Sequence, residues 1–262
     1  RFERLAQARH GFGDKWHGVT DPDFRYRHRE IDLWARPESR EILVARSRIV
    51  QKLRERLWAA GYLEVETPIL HPILGGAAAR PFVTHHQALH ADFFLRIAPE
   101  LYLKRLVVGG LEKVFEIGRV FRNEGMSPRH NPEFTMLELY QAYASYTDLM
   151  ALCENLLVAL AREIRGEPSA LSGDAVIDLT PPWRRAEAAA VPVPATAGAG
   201  KIILELYEKL VEPKLVSPTF VVDHPVEISP LAQRKADDPR LTERFELVVA
   251  GRELVNAFSE LT

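Results

Sequence analysis

The residues best suited to chemistry stand where one strand-like stretch ends and the next begins. Residues 121–124 (FRNE) close the first stretch, and residues 129–134 (RHNPEF) lead into the second. An arginine such as Arg122, held at a strand end, can bind a phosphate through two hydrogen bonds while the following loop closes over a nucleotide. Taken alone, a cross-strand pair of arginine and glutamate on a solvated hairpin is the commoner arrangement. The pattern leaves both interpretations open.

The second stretch gathers aromatic and acidic side chains on one face. Because a strand alternates with a period of two residues, Phe134, Met136, Glu138 and Tyr140 point to the same side. An aromatic ring on this face can stack on a base, next to a carboxylate and a phenol. A sheet face that carries Glu138 is either solvated or a binding site.

A second acidic group lies on the last predicted hairpin and consists of Glu246, Glu253, Asn256, Phe258 and Glu260. Carboxylates on antiparallel strands suit Mg²⁺, which shares its oxygen ligands with substrate phosphates. A charged outer sheet face explains the spacing equally well. Strict alternation leaves Glu253 on the face opposite Asn256, so a β-bulge near Glu253 is needed to bring it to Glu246.

Three weaker signals accompany these groups. Residues 75–81 (GGAAARP) form a small-residue loop that lets the backbone approach a ligand, but the Gly-Lys-Ser/Thr of a P-loop is missing. Glu100 begins a helix, where the helix dipole alone favours a carboxylate. Three histidines lack a fourth metal ligand nearby and are interpreted as ordinary surface or core residues: His85, His86 and His90.

The elements that position these groups alternate between helix and strand. Helical spacing predicts helices over residues 38–60, 99–108, 147–164 and 202–210. Period-two alternation predicts strands over residues 62–67, 95–97, 113–123, 133–144, 219–222, 244–249 and 253–261. Residues 186–200 are of low complexity and predict neither. The mixed order predicts an α+β fold built on one antiparallel sheet.

Composition limits the class of protein. The chain has 262 residues, 47% of them hydrophobic and 27% charged, which supplies the core of one large domain. A net charge of −2 excludes a polycation that binds nucleic acid non-specifically. The single cysteine, Cys153, excludes an intrachain disulfide, and no apolar run approaches the roughly 18 residues that span a bilayer. We expect a soluble protein of the reducing cytosol.

In combination these segments resemble the class II aminoacyl-tRNA synthetases, and specifically the lysyl-tRNA synthetases. Residues 61–68 (GYLEVETP) are similar to the first class motif, and residues 121–124 with 129–135 are similar to the second. The lysyl type is indicated by residues 75–82, 95–110, 123–125 (NEG) and 256–261 (NAFSEL). The resemblance covers residues 14–183 and 201–262, and it implies an antiparallel sheet flanked by helices.

Three departures from the family pattern accompany the resemblance. The third family motif, a Gly-rich strand and helix with a second nucleotide-binding arginine, would lie beyond Thr262. The amino-terminal OB-fold domain is missing apart from its exit linker, residues 1–37, and the segment before Lys201 is shorter than is usual in the family. We therefore expect part of a longer protein, with a catalytic domain over residues 38–262 that is incomplete at its carboxyl end.

The resemblance implies a ligase that uses ATP and Mg²⁺. The lysine carboxylate attacks the α-phosphate of ATP, giving lysyl-adenylate and pyrophosphate, and the lysyl group then passes to the 3′-terminal ribose of tRNA(Lys). Positioning and charge neutralisation dominate such a reaction. The resemblance also implies a cytoplasmic homodimer formed through residues 38–68, with no membrane segment in this part of the protein.

The family roles for ATP carry over to the second motif. Arg122, implied as the catalytic residue, would hold the α-phosphate and the lysine carboxylate. Glu124 would bind the adenine amino group, and Phe134 would stack on the adenine ring. His130 would bind the phosphate tail, with Asn131 in the same site.

The roles for lysine and metal fall on other segments. Gly76 and Glu100 would bind the α-ammonium group, and Glu246 and Glu253 would hold Mg²⁺. A buried ligand cation needs carboxylate partners, which an uncharged analogue would leave unpaired. The pocket for the side chain and ε-ammonium group would consist of Glu138, Tyr140, Asn256, Phe258 and Glu260.

Two alternatives stay open. A paralogue of lysyl-tRNA synthetase could lysylate a protein or supply a lipid-lysylating membrane domain, although residues 123–125 favour the true synthetase. A truncated synthetase fold could instead serve as a non-catalytic binding module. The absence of the third motif supports that interpretation, and the intact acidic and arginine clusters argue against it.

Overall fold

The computed structural model describes residues 3, 6, 19–127, 130–188 and 198–261. It divides into two compact units, Arg1–Lys52 and Leu53–Thr262. The boundary of the catalytic domain expected at residue 38 stays a prediction, because this division falls inside a helix and reflects packing alone.

The first unit is helical in its described part. Helices α1 (Pro22–Arg27) and α2 (Arg29–Ala35) precede the long α3 (Pro37–Ala59), whose first two-thirds belong to this unit. The buried Asp32 carboxylate accepts a hydrogen bond from Arg25 Nε at 2.7 Å and pairs with Arg29. The arm expected over residues 1–37 therefore contains two ordered helices where it is described.

The second unit begins with the end of α3, which confirms the predicted helix over residues 38–60. Gly61 follows with φ +84°, a backbone conformation that favours glycine, and Leu57 packs with Tyr62 and Phe115 in a buried cluster. The strand predicted over residues 62–67 is much shorter. Only β1 (Leu63–Glu64) pairs, and Thr67 instead bonds to a buried arginine described below.

The strands form four sheets in the described part of the chain. They are β1 with β5 (Lys113–Phe121) and β6 (Glu133–Gln141); β2 (Leu70–His71) with β4 (Ala91–Leu95) and β3 (Val83–His86); β7 (Ser169–Ser172) with β8 (Ala175–Asp178); and β12 (Glu253–Phe258) with β11 (Leu241–Val248), β10 (Thr219–Pro225) and β9 (Arg184–Glu187). The α+β class is confirmed. The mainly antiparallel pairing is confirmed too, but the strands form four sheets instead of one, and β1 and β9 pair in parallel, because alternation does not specify which strands pair.

Helix α5 (Tyr146–Arg165) packs against two of these sheets. Its Leu152 and Leu156 contact the cluster around Phe115, and its Met150 and Val158 belong to the cluster around Phe245. The helix starts with a capping box in which Ser145 and Asp148 bond reciprocally. Since side chains alternate across a strand, the opposite faces of β5, β6, β11 and β12 point away from α5, and those faces carry the predicted site residues.

Two other segments differ from the predictions in their bounds, and a third lies mostly outside the described residues. The strand expected over residues 95–97 is β4 (Ala91–Leu95), after which the chain leaves the ladder and enters α4 (Glu100–Val108). The helix expected over residues 202–210 is α6 (Ala199–Leu206), continued by a π-helical turn, Tyr207–Val211. Most of the low-complexity segment, residues 189–197, lies outside the described residues.

A buried ion pair connects β4, β5 and the segment after β1. Arg96 is 2% exposed, and its Nη1 lies 2.5 Å from Glu116 Oε1 and 3.0 Å from Thr67 Oγ1. Its Nε donates to the carbonyl oxygen of Arg119 at 2.8 Å. Gly118 leaves the space for this guanidinium, because a Cβ there would clash with Arg96 Nη2.

We expect Gly118→Ala to lower the free energy of unfolding by about 1–3 kcal/mol, since the added methyl group must displace a buried arginine from its acceptors. Urea unfolding followed by circular dichroism measures the change. Gly125→Ala is the matched control, because a Cβ at Gly125 meets no atom within 4 Å. Equal stability of the two variants would contradict this account of Arg96.

Candidate active site

Arg122 stands at the end of β5 and has no ion-pair partner among the described residues. Its guanidinium carbon lies 5.3 Å from the centre of the Phe134 ring, and its buried Nε finds no acceptor there. The cross-strand ion pair that the sequence left open exists instead at Arg119, whose Nη1 lies 3.3 Å from Glu133 Oε1. Arg122 is thus available for an anionic ligand.

The small-residue loop lines a cleft together with Glu124, which is two residues after Arg122 in the chain. The cleft of about 590 Å³ is lined by Gly75, Ala77–Arg80 and Ile97, with Glu124 at its edge. The backbone N–H of Asn123 donates to the carbonyl oxygen of Arg80 at 2.8 Å and joins the two loops. This arrangement brings the predicted adenine contact, Glu124, next to the predicted glycine-rich loop.

Two predicted ATP residues lie farther out. His130 is exposed, and its Nδ1 is hydrogen-bonded to Ser127 Oγ at 2.8 Å. Asn131 is exposed as well. No hydrogen bond or ion pair of the described structure joins either of them to another predicted site residue, and Arg129, part of the same motif, lies outside the described residues. The roles of His130 and Asn131 stay predictions.

Glu138 and Tyr140 share one face of β6, as the alternation predicts. The Tyr140 hydroxyl donates to Glu138 Oε2 at 3.1 Å. The pKa of Glu138 is raised to about 7, chiefly by burial and also by the nearby charge of Glu100. The hydrogen bond from Tyr140 lowers this pKa but does not offset the rise. Burial also raises the pKa of Tyr140, so this phenol keeps its proton.

Glu100 and Glu260 meet at a lysine that the sequence analysis did not single out. Lys104 Nζ lies 2.6 Å from Glu100 Oε1 and 2.8 Å from Glu260 Oε1, and 5.9 Å from the centre of the Phe258 ring. Gly76 packs against Glu100, where a Cβ would lie 3.0 Å from that of Glu100. The four-residue spacing of Glu100 and Lys104 on one helix was a usable signal.

The predicted β-bulge is present in the last hairpin. Glu246 pairs with Asn256 and Leu247 with Val255, but Val248 pairs with Glu253, so one extra residue interrupts the register of β12. Glu253 therefore shares a face with Glu246 and Asn256. Burial raises the pKa of Glu246 to about 7, and the negative charge of Glu253 raises it further.

Arg244 organises this face and was also missed from the sequence. It lies two residues before Glu246 on β11, and its Nη2 donates to Glu246 Oε1 at 2.5 Å. Its Nε donates to Asn256 Oδ1 at 3.1 Å, and its Nη1 donates to Ser229 Oγ at 2.9 Å. Period-two spacing places Arg244 on the face of Glu246 and could have indicated it.

Glu246 and Glu253 fit Mg²⁺ as two of its ligands, with the rest of the coordination supplied from outside the protein. Within the described residues, no group of three His, Cys, Asp or Glu side chains could hold a metal alone. Two carboxylates on one face match the usual Mg²⁺ arrangement, in which substrate phosphates and water complete the coordination. The buried, charge-repelled Glu246 would gain from a cation at this place.

The pKa of Glu138 predicts how cation binding at this face depends on pH. A carboxyl with a pKa of about 7 is protonated below that pH and ionised above it, and only the ionised form attracts a cation. We expect affinity for an alkylammonium ligand to fall about tenfold for each pH unit below about 7 and to level off above it. Calorimetric titration of lysine across this range measures the effect. Glu138→Gln should abolish this dependence, and an unchanged profile would contradict the assignment.

Comparison with known proteins identifies the family of this chain. The family model of the class II tRNA synthetases (D, K and N) matches residues 21–262, which include every element of the site. The chain belongs to the class II tRNA synthetases.

Curated relatives of this class II synthetase are named lysine–tRNA ligase. The relative from Carboxydothermus hydrogenoformans is 51% identical over 99% of this chain and 59% of its own length. The relatives from Pelotomaculum thermopropionicum and Bacillus subtilis are 52% and 49% identical, again over 99% of this chain, and 57% and 58% of their own lengths are covered. The chain spans somewhat more than half of these relatives. None of the helices in its described part is long and apolar enough to cross a membrane.

Proposed function

We propose that the chain is the lysine-activating core of a lysine–tRNA ligase. The observation that carries the proposal is the cluster of three carboxylates, Glu100, Glu138 and Glu260, beside Arg122, which has no ion-pair partner among the described residues. The curated relatives that are about half identical over nearly the whole chain support the same substrate.

The charge of the pocket favours lysine within the family. The family model covers enzymes of the D, K and N types, which differ in the side chain they accept. A pocket with the carboxylates of Glu138 and Glu260 attracts a side-chain ammonium group and repels the carboxylate of aspartate. Asparagine carries no charge to compensate these carboxylates, so its binding leaves them unpaired.

In the first proposed step, lysine reacts with ATP. A carboxylate oxygen of lysine attacks the α-phosphorus, the bond to the bridging oxygen of the β-phosphate breaks, and pyrophosphate leaves. Arg122 binds the α-phosphate and the attacking carboxylate, and so it draws two anions together and stabilises the charge that develops on phosphorus. Glu124 binds the adenine amino group, and Phe134 stacks on the adenine ring. No side chain has to accept a proton in this step.

The remaining parts of the proposed reaction involve Mg²⁺ and tRNA. Glu246 and Glu253 would hold Mg²⁺, which neutralises phosphate charge when bound. The lysyl group then passes to the 3′-terminal ribose of tRNA(Lys) as the ribose hydroxyl attacks the acyl carbon and AMP leaves. An enzyme of this activity would work in the cytoplasm.

We also propose a homodimer through residues 38–68. Among the described residues, several apolar side chains of α3 are exposed, with Ile42 66% and Trp58 53% exposed, whereas Leu57 is buried. Large apolar side chains on one helix are typical of an interface between subunits. We expect analytical ultracentrifugation to give a dimer and Ile42→Glu to give a monomer. Glu41→Gln, at the neighbouring position, should leave the dimer intact, and an active monomer of the unmodified chain would contradict the proposal.

Calorimetry with three amino acids tests the proposed substrate. We expect lysine to bind the 262-residue chain at least roughly tenfold more tightly than aspartate or asparagine. Binding of aspartate or asparagine as tight as that of lysine would contradict the lysine assignment. Binding of none of the three would support the non-catalytic module instead.

A further inference from the structure

Lys104 places a cation in the proposed lysine pocket, where only negatively charged groups and hydrogen-bond acceptors are expected. Its ammonium group bonds to Glu100 on the same helix and to Glu260 in the segment after β12, at 2.6 and 2.8 Å. It lies 5.9 Å from the centre of the Phe258 ring, and its side chain is 28% exposed. Burial lowers the pKa of Lys104 and the two carboxylates raise it, with a net rise, so the group is charged. One helix residue thus joins carboxylates from two separate elements.

The contact of Lys104 with two carboxylates affects the charge balance of the pocket. The pocket has three carboxylates, Glu100, Glu138 and Glu260, whereas a lysine ligand brings two ammonium groups. The ligand carboxylate is matched by Arg122, so one pocket carboxylate has no cation from the ligand. Uncompensated charge is costly in a partly buried site, and a fixed cation removes that cost.

We propose that Lys104 is the third cation of the pocket, a positioning residue that balances its charge and holds Glu260 against Glu100. Glu260 needs such an anchor, because its side chain is 43% exposed and it lies two residues beyond the end of β12. By this account Lys104 sets the selectivity for a ligand with two ammonium groups without touching the reacting atoms. The inference rests on the proposed function of the pocket.

The charged and titratable groups around Lys104 and around the carboxylates of its pocket determine the effect of removing it. They come from α4, from the segment after β12, from β6 and from the residues that follow β4 and β5. Removal of one cation from this surrounding leaves the carboxylates in excess, so the free pocket takes up protons at a higher pH than before. The groups are Glu100, Glu260, Glu138, Tyr140, Arg122 and Arg96.

Lysine titrations of three variants over a range of pH test the proposal. We expect Lys104→Met to weaken lysine binding roughly tenfold at about pH 7, and the midpoint of the pH dependence to move upward by about one pH unit. Lys104→Arg keeps the charge and should keep the midpoint. Lys209→Met is the matched control, since Lys209 pairs with Glu205 at the same helical spacing but on an exposed surface. Thermal unfolding establishes that each variant is folded.

The outcomes separate this inference from the proposed function. If the unmodified chain binds no lysine, both fail. If it binds lysine and Lys104→Met has the same dissociation constant and pH midpoint, the inference alone fails. Tighter binding by Lys104→Met would make Lys104 a competitor of the ligand and would also overturn the inference. A shifted midpoint that Lys104→Arg restores supports it, because a purely structural role would not move the midpoint.

Discussion

Arg122→Ala is expected to reduce lysine-dependent ATP–pyrophosphate exchange by roughly 100- to 1,000-fold or more, with the fold intact. The reason is that Arg122 makes no ion pair in the described structure and its buried Nε has no acceptor, so its interactions are left for the ligand. If Arg122 only formed a surface ion pair, its loss would lower the free energy of unfolding by about 0–1 kcal/mol and would leave the exchange rate unchanged.

Arg119→Ala is the matched control for this variant. Arg119 lies on β5, three residues before Arg122, and both side chains of its ion pair with Glu133 are about half exposed. We expect its loss to change the exchange rate little, because the pair faces solvent. Near-normal exchange by Arg122→Ala, or equal losses in the two variants, would remove Arg122 from the reaction.

Glu260→Gln is expected to raise the Michaelis constant for lysine far more than that for ATP. The amide keeps the shape of the side chain and one acceptor but loses a charge-assisted hydrogen bond to an ammonium group. Such a bond contributes about 1.5–3 kcal/mol, which corresponds to a roughly tenfold to hundredfold loss in the specificity constant for lysine. Lysine is titrated at saturating ATP, and Mg²⁺ at saturating lysine.

Glu205→Gln makes the same chemical change at an exposed pair on α6 and should leave both constants unchanged. An unchanged lysine response in Glu260→Gln would overturn the pocket assignment. A changed Mg²⁺ dependence with normal lysine affinity would assign Glu260 to the metal instead.

Much of the site could be predicted because it lies on long, regular elements. The alternation over residues 133–144 placed Glu138 and Tyr140 on one face, and β6 places them there. Strict alternation put Glu253 and Asn256 on opposite faces, so a bulge was needed beside Glu253, and the bulge is present. Periodicity determines which face of a strand carries a side chain. Only contacts between residues of one strand or one hairpin could therefore be predicted.

Contacts between distant elements could not be predicted in this way. Lys104 reaches Glu260 across 156 positions of the chain, and Arg96 bonds to Thr67 and Glu116 from another sheet. Local patterns do not specify such pairings. They also do not specify the division of the strands into four sheets. Helices α1 and α2 could not be predicted because they are short and rich in charged residues.

Amino-acid-dependent ATP–pyrophosphate exchange tests the central claim most directly. The 262-residue chain is supplied with ATP, Mg²⁺ and labelled pyrophosphate, and with lysine, aspartate or asparagine in separate reactions. The account predicts exchange with lysine that exceeds exchange with the other two at least roughly a hundredfold, since only lysine compensates Glu138 and Glu260. Exchange driven by aspartate or asparagine, or no lysine-dependent exchange at all, would contradict it.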